Sequence, residues 1–543
     1  MTPTPRPRLR ARTALGGLAL VAAVAGCGPR EPAPVHPMIV VGIDGGEWSV
    51  IERLWADGEL PALRALAERG ARAHLATDYG LSPVIWTTIA TGRRPREHGI
   101  TDFVTPTERG DVPVSSDHRR VPALWNMASA AGKRVAVLGW WGSWPAEEVE
   151  GLVVTDRPFR ESVRRAYPAS LEADLDRPAG GGDGGWDLSL LHQRRDRLMA
   201  RLGRELAPEG FDLTMVYLHS VDFASHNFWR YWEPDRFGPP DPAESPVELT
   251  ALAERIPDVY RATDRAIGEI VAAAPAATNV LVVSDHGFHA MEEPRVRLRF
   301  DLDAVFERFG FLSRDTGGGV DVAASRLYTY GTPPYRGEKL VRFGDAVPPA
   351  ERAALRDRLE RHLARVTWAG GEPALEARDA ETGERRRGAD LVVVVRHQGA
   401  TRELLVDRRP FDDPATGDRP SGGPPSGSPR VRKPVRFLNR VSGGHQADTA
   451  GILIAAGPDV EPGAAVGGIS IKDLAPTILY GIGLPTAEDF VGRAFTELYT
   501  AEFRRDHPPL TIESWGTREP GETARSEADR ELIEELRALG YLQ

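Results

Sequence analysis

Apolar runs that end abruptly in a carboxylate or an imidazole recur along this chain, and they predict its architecture. The sharpest is residues 279–289, NVLVVSDHGFH. Residues 280–283 show no polar alternation, which marks a strand covered on both faces. The run then delivers Asp285 and His286 at its carboxyl end, with Gly287 free to turn the chain away. Residues 38–43, MIVVGI, end in the same manner at Asp44-Gly45-Gly46, and residues 213–218, LTMVYL, lead into His219. Further short strands are expected at 134–139, 391–395 and 450–456. Between them lie segments with apolar residues at helical spacing: 49–69 (interrupted at Pro61), 84–91, 192–206, 254–273 and 471–484. Buried strands alternating with helices suit an open α/β sheet.

Residues 297–440 have a different texture. They hold a glycine run at 317–319, a helix expected at 350–365 behind Pro348-Pro349, and a Pro-, Gly- and Ser-rich loop at 412–434. They read as an insertion or cap on a core made of 38–296 and 441–500. A second glycine-rich loop falls at 178–185. The tail, 501–543, ends in a helix expected over 527–539, with Ser526 and Gly540 placed to cap it.

Six residues of ligand type cluster at these transitions: Asp44, Asp222, His226, Asp285, His286 and His445. Asp44 and the Asp285-His286 pair follow buried strands directly, where open α/β sheets place their chemistry. Asp222 and His226 are four apart, so a helix there sets them on one face. His445 ends a Gly443-Gly444 approach to the strand at 450–456. Carboxylate oxygen with imidazole nitrogen suits zinc or a similar divalent cation, and three Asp with three His suffice for two ions. His219 is expected to support the site from outside it. Ser82, at a Ser-Pro helix entry, is the nucleophile candidate, and an adjacent cation can activate its hydroxyl without a Ser-His-Asp triad. Thr87 and Thr88 are its alternates.

The first residues change the picture of where such chemistry takes place. Arg6, Arg8, Arg10 and Arg12 precede an apolar stretch over 14–25 that is short for a membrane span, and Val24-Ala25-Gly26 leads to Cys27, the single cysteine. This resembles a bacterial lipoprotein signal. Residues 1–27 are therefore expected to be a signal peptide ending at a lipidated Cys27, and the proline-rich 28–37 a tether. Lipidation implies an extracytoplasmic, membrane-anchored protein. No intramolecular disulfide can form. The chain of 543 residues is 41% apolar and 27% charged, with formal charge −10. That composition permits a large core and leaves no basic footprint for a nucleic-acid polymer.

The motifs MIVVGIDGG, SPVIWTTIATGRRPREHGI, VDFASH, VSDHG and GGH occur in that order over roughly residues 38–492. As a set they resemble the alkaline phosphatase superfamily, and within it the type I phosphodiesterase/nucleotide pyrophosphatase branch. The resemblance implies an α/β fold, a doubly wound and mostly parallel sheet sandwiched by helices, and two ions of zinc type. Asp222, His226 and His445 would hold one, and Asp44, Asp285 and His286 the other. Ser82, found by counting back from Thr91-Gly92, would attack phosphorus and become transiently esterified. The implied activity is hydrolysis of a phosphomonoester or phosphodiester, in a small molecule or a lipid. Two departures stand out: Ser82 replaces the branch's usual Thr, and Phe103 occupies a position where nucleotide-cleaving members carry Asn. Sulfatases share the core, but their C/S-x-P-x-R motif is absent, since Pro83 follows Ser82 directly and Trp86 stands where Arg would be required. A phosphotransferase acting on lipid or glycan, and a non-catalytic binding lipoprotein on the same fold, are the competing readings.

Overall fold

A computed structural model of the protein describes residues 34–107, 110–159, 164–176, 191–237, 245–315, 320–330, 338–381, 385, 389–396, 404–411, 435–519, 521 and 533. The expected signal peptide with Cys27, the loops at 178–185 and 412–434, the glycines at 317–319 and the 527–539 helix apart from Ile533 lie outside the described residues.

The core is an eight-stranded sheet. Its strands are β1 (Met38–Ile43), β2 (Ala71–Leu75), β3 (Val135–Leu138), β4 (Gly151–Val154), β5 (Ala166–Tyr167), β6 (Leu213–Leu218), β7 (Asn279–Ser284) and β8 (Gly451–Ala456). They lie in the order β2-β8-β7-β1-β6-β3-β4-β5. The strands from β7 to β4 in that order run parallel to their neighbours, whereas β8 is antiparallel to both β7 and β2, and β5 to β4. β1, β6 and β7 are buried at every position. Their side chains divide alternately between two cores, one on each face of the sheet. Ile39, Val41, Ile43, Val216, Leu218, Val280 and Val282 enter one. Met38, Val40, Met215, Tyr217, Leu281 and Val283 enter the other. That is why these strands read as continuous apolar runs: neither face meets water.

Helices Leu191–Leu206, Ser220–Trp232 and Arg255–Ala273 cover the first face. Ser82–Thr91 and Leu474–Gly481 cover the second. The expected 49–69 helix is two, Trp48–Ala56 and Pro61–Arg69, with Leu60 between them in the left-handed region and Pro61 opening the second. Proline fits that first position because it has no N–H to leave unpaired. The 471–484 segment enters through a single tight turn, Ile471–Asp473, before its helix.

Beyond β7 the chain leaves the core along strand His289–Phe300 and returns along Val435–Gly444, the two paired antiparallel. Between them, residues 302–411 have a hydrophobic cluster of their own. It lies between helix Pro349–Leu363 and a four-stranded sheet of Leu327–Thr329, Glu338–Phe343, Leu391–Val395 and Leu375–Asp379. The returning strand ends at Gly444, one residue before His445.

Candidate metal centre

Register brings the site together. Ile43, the last residue of β1, is directly opposite both Leu218 of β6 and Ser284 of β7. The residues that follow, Asp44, His219 and Asp285, therefore emerge side by side. The ladder continues one step further, with Asp44 N donating to Leu218 O at 2.9 Å. Gly45 then takes φ +71°, a backbone conformation that glycine adopts without strain. A Cβ at that position would lie 2.4 Å from the ring of Phe288. Gly45 N donates to Asp285 Oδ1 at 3.1 Å, and Gly46 N to Ser284 Oγ at 2.7 Å, so the turns after β1 and β7 fix one another.

The helix Ser82–Thr91 docks on β1 because Gly42 has no side chain there; a Cβ would lie 2.7 Å from the Trp86 indole. Trp86 is fully buried, edge-on to Trp140 and Tyr217. Ser82 is the first helical residue, not the cap. The cap is Leu81, which has no side-chain acceptor for the first turn. Ser82 Oγ lies 3.5 Å from Asp44 Oδ1. The alternates are turned the other way, into their own helix: Thr87 donates to Pro83 O and Thr88 to Val84 O, with His98 Nε2 3.2 Å from the Thr88 hydroxyl.

Asp222 and His226 come from the opposite face, one turn apart on helix Ser220–Trp232, with His226 Nε2 3.3 Å from Asp222 Oδ1. His286 Nε2 lies 3.3 Å from Asp285 Oδ2, 3.5 Å from Asp44 Oδ1 and 4.0 Å from Asp222 Oδ1. His445 stacks on His286, with ring centroids 3.6 Å apart. The structure thus gathers all six donors, with Ser82 Oγ against one of them, Asp44. They form the groups Asp222-His226-His445 and Asp44-Asp285-His286, and a third group, Asp44-His219-Asp222, overlaps both.

The donor set fits divalent cations. Oxygen and nitrogen held about 2.0–2.1 Å from a tetrahedral ion lie about 3.3–3.4 Å from each other. That is the spacing of the closest pairs. His226 Nδ1 is 3.0 Å from Gly443 O and His286 Nδ1 is 3.0 Å from Gly287 O. A carbonyl only accepts, so in both rings Nδ1 carries the proton and neutral imidazole keeps its Nε2 lone pair for a ligand. Asp285 Oδ2 and His286 Nε2 are buried without a hydrogen bond, although they face each other.

Electrostatics agree. Burial holds His286 below the usual imidazole range, against the pull of Asp44 and Asp222. Burial, then His286 and His226, hold His445 well below it. Neutral imidazole is the form that ligates. Burial and the charge of Asp44 push the Asp285 carboxyl well above its usual range. Burial raises Asp222 too, but the positive charge available beside it, from His226 above all and then His219 and His286, outweighs this and holds that carboxyl well below its usual range. Three fully buried aspartates so close together are stabilised by positive charge.

Sequence reasoning placed His219 outside the donor set, in a supporting role, and missed Tyr217 and Asp196. The Tyr217 hydroxyl donates to Asp44 Oδ2. Burial and the Asp44 charge push that hydroxyl well above its ordinary value, so it remains a donor. His219 Nδ1 lies 3.0 Å from the same carboxylate oxygen. Asp196, fully buried, accepts from the backbone N–H groups of His219 and Ser220. Phe103 is buried in a small apolar cluster with Leu81, Val104, Trp141 and Ile533.

The sequence matches the family profile of type I phosphodiesterase / nucleotide pyrophosphatase over residues 38–399. No curated protein matches it. Among solved structures, phosphonoacetate hydrolase from Sinorhizobium meliloti 1021 in complex with phosphonoformate is similar at 18% identity and TM-score 0.40. That match covers 84% of this chain and 97% of that one. Human ectonucleotide pyrophosphatase/phosphodiesterase 5 is similar at 13% identity and TM-score 0.39, over 86% of this chain and 100% of that one.

Proposed function

Because the chain belongs to the type I phosphodiesterase/nucleotide pyrophosphatase family, it is a phosphoester hydrolase, and we propose that it works through two divalent cations and a covalent intermediate on Ser82. Asp222, His226 and His445 would hold one cation, and Asp44, Asp285 and His286 the other. Bound there, zinc-type ions would supply Lewis-acid stabilisation of developing negative charge. Ser82 Oγ loses its proton and forms a bond to phosphorus as the ester P–O bond breaks, and the departing oxygen takes up a proton. The positive end of its helix faces the same place and favours the phosphoryl charge. Water then attacks phosphorus and gives up a proton, the Oγ–P bond breaks, and Ser82 Oγ takes up a proton. The observation that carries this reading is the convergence of six donors, their closest pairs at coordination spacing, with Ser82 Oγ against Asp44.

The proposed site of action is outside the cytoplasm, with lipidated Cys27 as the tether. His36, where the tether would join the body, is bonded to Asp459, which also accepts from Asn279 at the start of β7. That is the amino end of the strands, and the donors sit at the carboxyl end.

The test is hydrolysis of a chromogenic panel of phosphomonoesters, phosphodiesters and phosphonates. Activity is expected to vanish with chelator, return with zinc, and be lost in Ser82→Ala at unchanged cation content. Full activity in Ser82→Ala would refute the covalent step.

A further inference from the structure

Two polar groups crowd one oxygen of Asp44. The Tyr217 hydroxyl donates to Oδ2. His219 Nδ1 stands 3.0 Å from that oxygen and 3.2 Å from the Tyr217 hydroxyl. An ionised carboxylate can only accept, so Nδ1 is the protonated nitrogen and its N–H is shared between the two oxygens. The other carboxylate oxygen, Oδ1, faces Ser82 Oγ and His286 Nε2, each 3.5 Å away. One side of the carboxylate is thus committed to donors from β6 and the turn after it, and the other to the reacting side of the site.

Both donors are themselves held firmly. His219 N donates to the two oxygens of Asp196 at 3.0 and 2.9 Å, and Ser220 N to one of them at 2.7 Å. Asp196 is fully buried on helix Leu191–Leu206. It therefore anchors both His219 and the first residue of the helix that carries Asp222 and His226. Tyr217 is wedged edge-on against Trp86, ring centroids 5.0 Å apart, on the helix that begins with Ser82. A shift of either donor would be felt by nucleophile and ligands together.

We propose that His219 is a positioning residue for Asp44: its Nδ1–H, acting with the Tyr217 hydroxyl, occupies Oδ2 so that Oδ1 alone is turned to the cation and to Ser82. The inference rests on the two-cation reading above. The rival role is direct ligation, because His219 also groups with Asp44 and Asp222 as a set of donors. The two roles differ in the atom they need. Positioning needs a donor at Nδ1. With Nδ1 holding its proton toward Oδ2, ligation would need Nε2.

The experiment is calorimetric titration of zinc into chelator-treated full-length protein, comparing wild type, His219→Ala, His219→Asn and Tyr217→Phe, with kcat and KM measured on the loaded enzymes. Wild type is expected to bind two equivalents. His219→Ala should weaken one site and leave the other unchanged; partners of this kind are worth about 10–100-fold in metal affinity. His219→Asn places an amide N–H where Nδ1 was, and should restore most of that loss. Tyr217→Phe should weaken the same site as His219→Ala, and both should lower kcat more than they raise KM. If His219→Asn is as damaged as His219→Ala, His219 acts through Nε2 and the proposal fails. If His219→Ala binds both equivalents as wild type does, the contact is structural only and the proposal also fails. A wild type that binds fewer than two equivalents would overturn the two-cation premise itself, a different result from either.

Discussion

Replacing Asp285 by Asn should make the cation-free protein more stable while destroying one cation site. Asp285 is fully buried and groups with Asp44 so that their oxygens lie within 4.8 Å. At an effective dielectric of about 20, two ionised carboxylates at that separation repel by about 3.5 kcal/mol. The protein escapes part of this by keeping Asp285 protonated, since burial and Asp44 raise its carboxyl well above the usual range. The sign follows. A group whose folded pKa is raised contributes stability fully present below its unfolded value and lost as pH rises through the folded one. The advantage of Asp285→Asn over wild type should therefore grow with pH, toward that limit. The substitution keeps an oxygen to accept from Gly45 N. It also places an amide N–H opposite His286 Nε2, which Asp285 Oδ2 now faces at 3.3 Å. The assay is thermal unfolding in chelator across pH 5–9, repeated with zinc. In chelator the variant should melt above wild type, with a gap that widens as pH rises. With zinc, wild type should gain much more than the variant. A variant that melts below wild type in chelator at every pH would refute the reasoning, because Asp285 would then be a paired structural charge.

Glu147 is buried between Arg119 and Arg518 and accepts from Trp125 Nε1. Burial raises its carboxyl, but the two guanidinium groups outweigh this and hold it below the usual range. Its contribution is present above the unfolded carboxyl value and lost as pH falls. Glu147→Gln leaves Arg119 buried and uncompensated, and should cost about 3–5 kcal/mol in chemical denaturation near neutral pH, with the difference shrinking in acid. Cys27→Ser should move the protein from the detergent phase to the aqueous phase on partitioning of cells that express it, with turnover of a soluble ester unchanged.

The core strands were legible because their burial on both faces left no alternation to misread, and each run stopped where chemistry began. The predicted spans at 38–43, 213–218 and 391–395 coincide with strands of the structure, and the apolar run at 280–283 lies within Asn279–Ser284. What the pattern could not carry was register. Nothing local says that Ile43 lies opposite both Leu218 and Ser284, yet that pairing is what makes Asp44, His219 and Asp285 neighbours. Tyr217 was hidden for a related reason. In LTMVYL it reads as one more apolar position, and only the three-dimensional structure shows its hydroxyl at Asp44. The direction of β8 was equally invisible, since an apolar run has no polarity. The ribbon of His289–Phe300 with Val435–Gly444 did leave a trace: arginine alternates with apolar residues over Arg295-Val296-Arg297-Leu298-Arg299-Phe300, a period-two signature of a strand.

The most direct measurement is anomalous diffraction at the zinc edge from crystals of the zinc-loaded protein. The account predicts two peaks about 3.5–4 Å apart, one within about 2.0–2.2 Å of donors from Asp222, His226 and His445, the other at similar distance from Asp44, Asp285 and His286, with Ser82 Oγ beside the second. Zinc-loaded crystals with no peak among these six residues, or with peaks only elsewhere on the molecule, would contradict it.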